Sequence, residues 1–181
     1  KKISEVKGTV IIFDYHNDYT TLNIPNVNVI DAKINPRLLE ADQFSEVLEI
    51  RENADVQQRV LRMSFTQEVK KAGEFWKKLE YEVDLLVNSD EQRLKEIRTS
   101  AYRVQDIIED AQRRFDDILD PEVGNPMDYI KEGCTNIINI SELSEKQANV
   151  AMGFYLQQLL KDRKNATIAK HGKSKKQKDY K

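Results

Sequence analysis

Residues 9–19 read Thr-Val-Ile-Ile-Phe-Asp-Tyr-His-Asn-Asp-Tyr, a short apolar run that stops at a polar segment. The run over 9–13 is rich in β-branched and aromatic residues, and it predicts a strand buried on both faces, as in a parallel sheet. The strand would end at Asp14, and the polar segment after it also holds Asp18. Ligands of open parallel sheets bind at the carboxyl ends of the strands. The polar segment is therefore the first candidate for a functional site.

Further segments extend this strand into a sheet. Val27–Ile30 predicts a second, shorter strand, and Thr135–Ile140 predicts a third. Helical periodicity then runs from about Glu145 to Arg163. Strands that are separated by helical sequence favour parallel pairing. The predicted fold class is α/β, with a parallel sheet that a large all-α insertion interrupts.

The insertion follows Asn35-Pro36, a pair that favours the start of a helix because proline is tolerated in the first turn. Apolar spacing predicts helices at 37–50 and at 54–87, where Gly73 favours a break. The clearest helix follows a turn at 88–90. Its apolar residues are spaced by three and four: Leu94, Ile97, Ala101, Val104, Ile108, Ala111, Phe115 and Ile118. Such a seam indicates close packing on a neighbouring helix, which the short turn makes antiparallel. We expect an antiparallel bundle of about four helices.

These elements divide the chain into four segments. Residues 1–35 carry the first two strands, and residues 121–164 carry the third strand with its helix, so both belong to the α/β core. Residues 36–120 form the helical insertion. The polar, Lys-rich residues 165–181 are expected to be a loop or a disordered tail.

Charge is distributed unevenly along the chain. The net charge of all 181 residues is −2. Residues 36–120 hold 14 Lys and Arg against 20 Asp and Glu, a net charge of −6, whereas residues 161–181 hold 9 basic and 2 acidic residues, a net charge of +7. Nucleic acid is attracted to the second segment and repelled by the first. The helical insertion is therefore a poor DNA-binding surface.

Cysteine content and hydropathy bear on the expected cellular location. The single cysteine, Cys134, cannot form an internal disulfide, which favours the reducing cytosol and hence a cytoplasmic protein. No apolar run reaches about 18 residues, so no membrane span is expected. The chain begins with Lys1 rather than Met, and we expect it to be a segment of a longer protein.

Few residues carry a chemical meaning of their own. His16 and His171 are far apart and have no cysteine beside them, which argues against a zinc site. The sequence holds no nucleophile motif and no glycine-rich phosphate loop. What remains is the pair Asp14 and Asp18. Carboxylates at this edge can order Mg²⁺ or orient the water that attacks a terminal phosphate. The alternative is that both aspartates cap a turn.

The polar segment resembles a motif of the HerA-like ATPases. In that family a buried strand ends in Asp-x-His-Gly-Glu/Asp-Tyr, and Asp14, His16, Asp18 and Tyr19 fit this pattern. Asn17 replaces the usual glycine, a mild departure because asparagine tolerates the left-handed conformation that a turn requires. The resemblance continues in order along nearly the whole chain, through the helical insertion and the last strand and helix.

The resemblance implies a partial RecA-like ATPase core. HerA-like proteins are hexameric motors that use ATP to move along double-stranded DNA, and they work with a NurA-type nuclease on double-strand-break ends. ATP and Mg²⁺ would serve the parent protein. The phosphate loop would lie upstream of Lys1 and the magnesium-positioning (Walker B) strand downstream of Lys181. The segment alone is therefore expected to bind neither, to hold no complete metal site and to be inactive.

Residue roles follow from the same resemblance. Asp18 would be the acidic residue nearest the nucleotide, while Asp14 and His16 would shape its turn. Arg163 would reach the phosphates of a neighbouring subunit, although an arginine near a helix end more often interacts with the helix dipole. The DNA channel would be lined by the basic tail, through Lys173, Lys175, Lys176 and Lys178. A different class of function stays open, a non-catalytic helical module for protein–protein interaction.

Overall fold

The computed structural model describes residues 8–20 and 25–178, with every side chain in these ranges except those of Arg93 and residues 166–178. The chain divides into two compact units, one made of Lys1–Ala32 with Pro126–Lys181 and the other of Lys33–Asn125. The strands are β1 (Val10–Asp14), β2 (Val27–Asp31) and β3 (Thr135–Asn139). The α-helices are α1 (Ala41–Val47), α2 (Asp55–Ser64), α3 (Gln67–Lys71), α4 (Phe75–Val87), α5 (Arg98–Arg114) and α6 (Glu145–Lys178). Short 3-10 helices lie at Pro36–Leu38, Gln92–Ile97 and Pro126–Tyr129.

The first unit contains a parallel sheet of three strands in the order β1-β3-β2. Ile137 of β3 stands opposite Ile12 of β1 on one side and Val29 of β2 on the other. The predicted parallel sheet is thus confirmed. The prediction that β1 is buried on both faces is wrong, because its residues 10–13 are only half-buried. Within the described residues β1 is an edge strand, and the most buried strand is β3, which has neighbours on both sides.

Asn136, a buried polar residue, ties the amino-terminal end of this sheet together. Its side-chain oxygen accepts hydrogen bonds from the Asn28 side chain and from the Lys131 N–H, both at 2.8 Å. Its side-chain nitrogen donates to the carbonyl oxygens of Lys131 at 2.9 Å and Val10 at 3.3 Å. A buried amide without hydrogen-bond partners would be destabilising. The network therefore explains how an asparagine is accommodated in the middle strand, β3.

Helix α6 packs its first part against the same unit. Ser144 caps it, since the Ser144 hydroxyl accepts the Gln147 N–H while the Gln147 side chain accepts the Ser144 N–H. Ala148, Ala151 and Tyr155 are buried as the periodicity predicts, and the Tyr155 hydroxyl donates to the Asp31 carbonyl at 3.3 Å.

The predicted loop or tail after residue 164 is wrong, because α6 continues to Lys178 over 34 residues. Lysine, alanine and glutamine favour helix, and extending a helix that packing has already nucleated needs no second nucleation step. The four lysines of the predicted DNA-binding tail are therefore part of α6.

The second unit is helical, and its only described β-type pairing is a bridge between Ile34 and Leu119. The pair Asn35-Pro36 starts a helix as predicted, with the Asn35 side chain accepting the N–H of Arg37. The helix that follows is shorter than the predicted 37–50, because a 3-10 turn at Pro36–Leu38 precedes α1.

The predicted long helix over 54–87 is broken twice, into α2, α3 and α4. Thr66 ends the first piece and caps the next by accepting the N–H of Val69. The second break lies around Gly73, where the sequence favoured one. Here the Arg37 guanidinium donates hydrogen bonds to the carbonyl oxygens of Lys70 and Ala72, at 3.0 and 2.5 Å. The last carbonyl groups of a helix lack intrahelical partners, and Arg37 supplies hydrogen-bond donors to them at this break.

The predicted seam packs α5 against α4 in antiparallel orientation. Gln112 donates to Glu80 at 2.6 Å, whereas Arg98, at the other end of α5, donates to the carbonyl of Ser89 at 2.6 Å. The seam residues from Ile97 to Ile118 are almost fully buried. Helix α2 packs on both α4 and α5, while α1 and α3 are short, with 7 and 5 residues. The unit thus has three longer and two short α-helices, whereas the sequence predicted a bundle of about four regular helices.

Candidate functional site

The polar segment after β1 is a turn built on one buried carboxylate. Asp14 is only 2% exposed, and its carboxylate accepts the backbone N–H groups of Asp18, Tyr19 and Thr20 at 3.0, 2.9 and 3.1 Å. Asn17 adopts a φ of 59°, the left-handed conformation that was the reason for tolerating asparagine in place of glycine. The turn therefore depends on a carboxylate at residue 14 and on a residue at 17 that accepts positive φ.

The hydrogen bonds control the ionisation of Asp14. Burial by itself would raise the pKa of the Asp14 carboxyl, but the backbone N–H groups of Tyr19, Asp18, Thr20 and Asn17 outweigh it together. The pKa is held below its ordinary value. At neutral pH Asp14 is thus an ionised acceptor, and its oxygens already accept hydrogen bonds of the turn.

The other polar side chains of the turn face solvent. Asp18 and His16 are exposed, as are Tyr15 at 45% and Tyr19 at 41%. The His16 ring meets the edge of Tyr15, with ring centroids 5.2 Å apart. Among the described residues nothing donates to the Asp18 carboxylate, which distinguishes it from Asp14. The structure thus brings three predicted residues into one turn and gives the two aspartates different surroundings.

The carboxyl edge of the sheet holds polar residues that the sequence reading missed. In the strand register Asp14, Asn139 and Asp31 form one row across the three strands. Asp31 is an exposed residue at the end of β2, and the Asn139 side chain accepts from both the N–H and the hydroxyl of Ser141. A local signal was present in the sequence, since each of the three strands ends in Asp or Asn. Asp31 is therefore a further candidate at the edge where ligands of parallel sheets bind.

This edge carries two exposed aspartates, Asp18 in the turn after β1 and Asp31 at the end of β2. Mg²⁺ in nucleotide sites keeps several waters and takes one or two carboxylates in addition to phosphate oxygens. Asp18 and Asp31 fit that donor set, whereas Asp14 could join it only by giving up hydrogen bonds of the turn. No group of three or more His, Cys, Asp or Glu capable of holding a metal occurs in residues 8–20 and 25–178.

The remaining predicted residues lie on α6. Arg163 is exposed, eight residues or about 12 Å of helix beyond Tyr155. Lys173, Lys175, Lys176 and Lys178 follow on the last turns of the helix backbone, and their side chains lie outside the described residues. None of the described helices combines the length and the apolar character that crossing a membrane requires.

The fold and the polar edge define an open parallel α/β protein with a helical unit between its second and third strands in sequence. The family is identified by comparison of sequences. Residues 1–159 match the family described as "Helicase HerA, central domain", so the chain belongs to that family. The resemblance inferred from the Asp14–Tyr19 motif is confirmed.

Individual relatives agree with this assignment. A protein of Sulfurisphaera tokodaii is 38% identical over 173 residues, which cover 90% of this chain and 35% of the relative. Proteins of Sulfolobus acidocaldarius and Saccharolobus solfataricus are 32% and 30% identical, each over 94% of this chain and 36% of the relative. All three are named "DNA double-strand break repair helicase HerA". The chain spans about a third of the length of these curated relatives.

Proposed function

We propose that this chain is the central part of an ATP-driven motor of the HerA type, which moves along double-stranded DNA during repair of double-strand breaks. The observation that carries the proposal is the family match over residues 1–159, together with the shared name of the three relatives. In the parent protein a phosphate loop would lie within about 40 residues upstream and a Walker B strand downstream. The parent would act as a hexamer with a NurA-type nuclease.

The turn after β1 would give the motor its nucleotide-facing carboxylate. Bound Mg²⁺ would neutralise charge on the terminal phosphates of ATP. Asp18, exposed and without a hydrogen-bond donor among the described residues, would order the ion's water or the attacking water. Asp14 would hold the turn through its three backbone hydrogen bonds. Arg163 on α6 would reach the phosphates bound by a neighbouring subunit, and His16 would support the turn.

A charge-removing substitution tests this role. In the parent protein Asp18→Asn keeps the size of the side chain and removes its charge, so DNA-stimulated ATP hydrolysis should fall at least about ten-fold. Asp106→Asn, an exposed aspartate on α5, is the matched control and should leave the rate unchanged. Full activity of Asp18→Asn beside an active wild type would return Asp18 to a turn residue. An inactive wild-type protein would instead contradict the motor proposal itself.

The second candidate function concerns the helical unit. Residues 36–120 carry a net charge of −6 and form most of a separate compact unit, features that favour a protein-binding rather than a DNA-binding role for it. A non-catalytic interaction module and a motor are compatible within one parent protein. Deleting the helical unit from the parent protein tests its role. If the unit serves only protein–protein interaction, the deletion should retain ATP hydrolysis and lose binding of a protein partner.

A further inference from the structure

The helical unit has an open cavity of about 310 Å³ on its surface. Residues 73–77, around the bend between α3 and α4, form one wall, and Pro121 with Glu122 forms the other. This volume lies at the lower end of the range of roughly 300–1,000 Å³ in which proteins hold small ligands. It suits one large side chain better than a cofactor.

One arginine holds both walls of the cavity in place. The Arg37 guanidinium donates to the Gly73 carbonyl at 3.3 Å on the first wall and to the Pro121 carbonyl at 2.8 Å on the second. It also pairs with Glu122 at 2.7 Å and lies 5.3 Å from the centroid of the Phe75 ring. Because a single buried group fixes carbonyls on both sides, the cavity is preformed.

The lining of the cavity is apolar and aromatic. Phe75 is 2% exposed, and its ring meets the edge of Trp76 with centroids 4.9 Å apart. Trp76 itself is half-buried, so one part of the indole packs on the core and another part faces the cavity. Tryptophan is among the residue types enriched at the positions that dominate binding of partner proteins.

Both carboxylates at the rim of the cavity face solvent. The carboxylates of Glu74 and Glu122 are 71% and 76% exposed. Arg37, the partner of Glu122, has a side chain only 16% exposed, so its charge is turned toward the backbone carbonyls. Lys77 is the exposed cation of the rim and pairs with Glu74. Since residues 36–120 are acidic as a whole, a polyanion is repelled and a basic segment is attracted.

We propose that this cavity is a docking site for a basic polypeptide segment of a partner protein, which inserts one aromatic or large aliphatic side chain beside Trp76. The apolar lining supplies affinity for the inserted side chain, and the net charge of −6 over residues 36–120 attracts its positively charged flanks. This inference does not depend on the motor activity of the parent protein.

Trp76 is the only tryptophan in the chain, so its fluorescence reports directly on the cavity. The probe is a synthetic peptide in which one phenylalanine is flanked on both sides by alternating serines and lysines. Titrating it into the full chain should change the Trp76 emission saturably, and raising salt should weaken binding. The same peptide with alanine for phenylalanine, or with aspartates for lysines, should bind at least ten-fold more weakly.

Two pairs of variants test the location. An added Cβ at Gly73 or at Gly153 meets no atom within 4 Å, so neither Gly73→Leu on the cavity wall nor its control Gly153→Leu in the other unit is expected to disturb folding. Gly73→Leu should weaken the peptide at least ten-fold. Glu74→Lys should weaken it several-fold more than Asp106→Lys, which changes the net charge equally.

Certain outcomes would overturn the proposal. No saturable change of emission, or equal binding by Gly73→Leu and wild type, would show that the cavity is not the site. Equal binding of the lysine and aspartate peptides would remove the charge argument. Equal binding of free phenylalanine amide and the peptide would make the cavity a small-molecule pocket instead.

Discussion

At the scale of single residues, Asp14 decides whether the turn after β1 forms. Its carboxylate is the common acceptor for three backbone N–H groups, and no other described side chain replaces it. An asparagine at this position has one acceptor oxygen in place of two and no charge. Asp14→Asn is therefore expected to lower the stability at neutral pH and to loosen the turn.

The same substitution should change the dependence of stability on pH. Because the pKa of Asp14 is lowered in the folded chain, the unfolded chain binds this proton first as the pH falls. The stabilisation is fully present above the ordinary aspartate pKa of about 3.9 and is lost as the pH falls through the lower folded pKa. Urea unfolding between pH 7 and pH 2 should show a smaller acid-induced loss in Asp14→Asn than in wild type. Asp18→Asn is the control, and an acid profile altered as much by that variant would contradict the assignment.

At the scale of elements, the seam of α5 carries the stability of the helical unit. Ile108 is fully buried, whereas Ile107, the next residue on the same helix, is only half-buried. Ile108→Ala leaves a cavity and should lower the free energy of unfolding by about 2–5 kcal/mol, while Ile107→Ala should cost under about 1.5 kcal/mol. Denaturant melts of the two variants measure the difference. Equal losses would mean that α5 does not pack by its seam.

Regular periodicity explains which elements could be predicted from the sequence. The α5 seam and the three strands follow from local patterns, because burial on one side or both leaves a repeating mark in the sequence. Gly73 marked the second break of the predicted helix over 54–87, but its hydrogen bonds could not be predicted because they come from the distant Arg37. The extension of α6 to Lys178 was missed because a polar, lysine-rich composition resembles both a tail and an exposed helix.

The candidate site likewise has parts that could be predicted from the sequence and parts that could not. The motif from Asp14 to Tyr19 could be found because it is contiguous, and the family match confirms the resemblance it suggested. The different surroundings of Asp14 and Asp18 could not be found, since they depend on which carboxylate turns back to the backbone. Asp31 was missed for another reason. Its place in one row with Asp14 exists only through the pairing of both strands with β3.

At the scale of the whole molecule, two segments of the chain carry net charges of opposite sign. The helical segment over 36–120 carries −6 and the terminal segment over 161–181 carries +7. A polyanion such as DNA gains from counterion release only where cations are concentrated. Under the proposed motor function, DNA would contact the end of α6 and avoid the helical unit.

Neutralising the basic end of α6 tests this division in the parent protein. The five lysines at 170, 173, 175, 176 and 178 are replaced by alanine, which keeps helix propensity while removing five positive charges. Each lost phosphate contact should reduce the slope of log K against log salt by about 0.9, so binding of duplex DNA should weaken and depend less on salt. The control replaces Lys71, Lys77 and Lys95 of the acidic helical unit and should leave the slope unchanged. A slope identical to that of wild type after the five substitutions would place the end of α6 outside the DNA path, whereas a reduced slope with normal ATP hydrolysis would separate DNA contact from nucleotide chemistry.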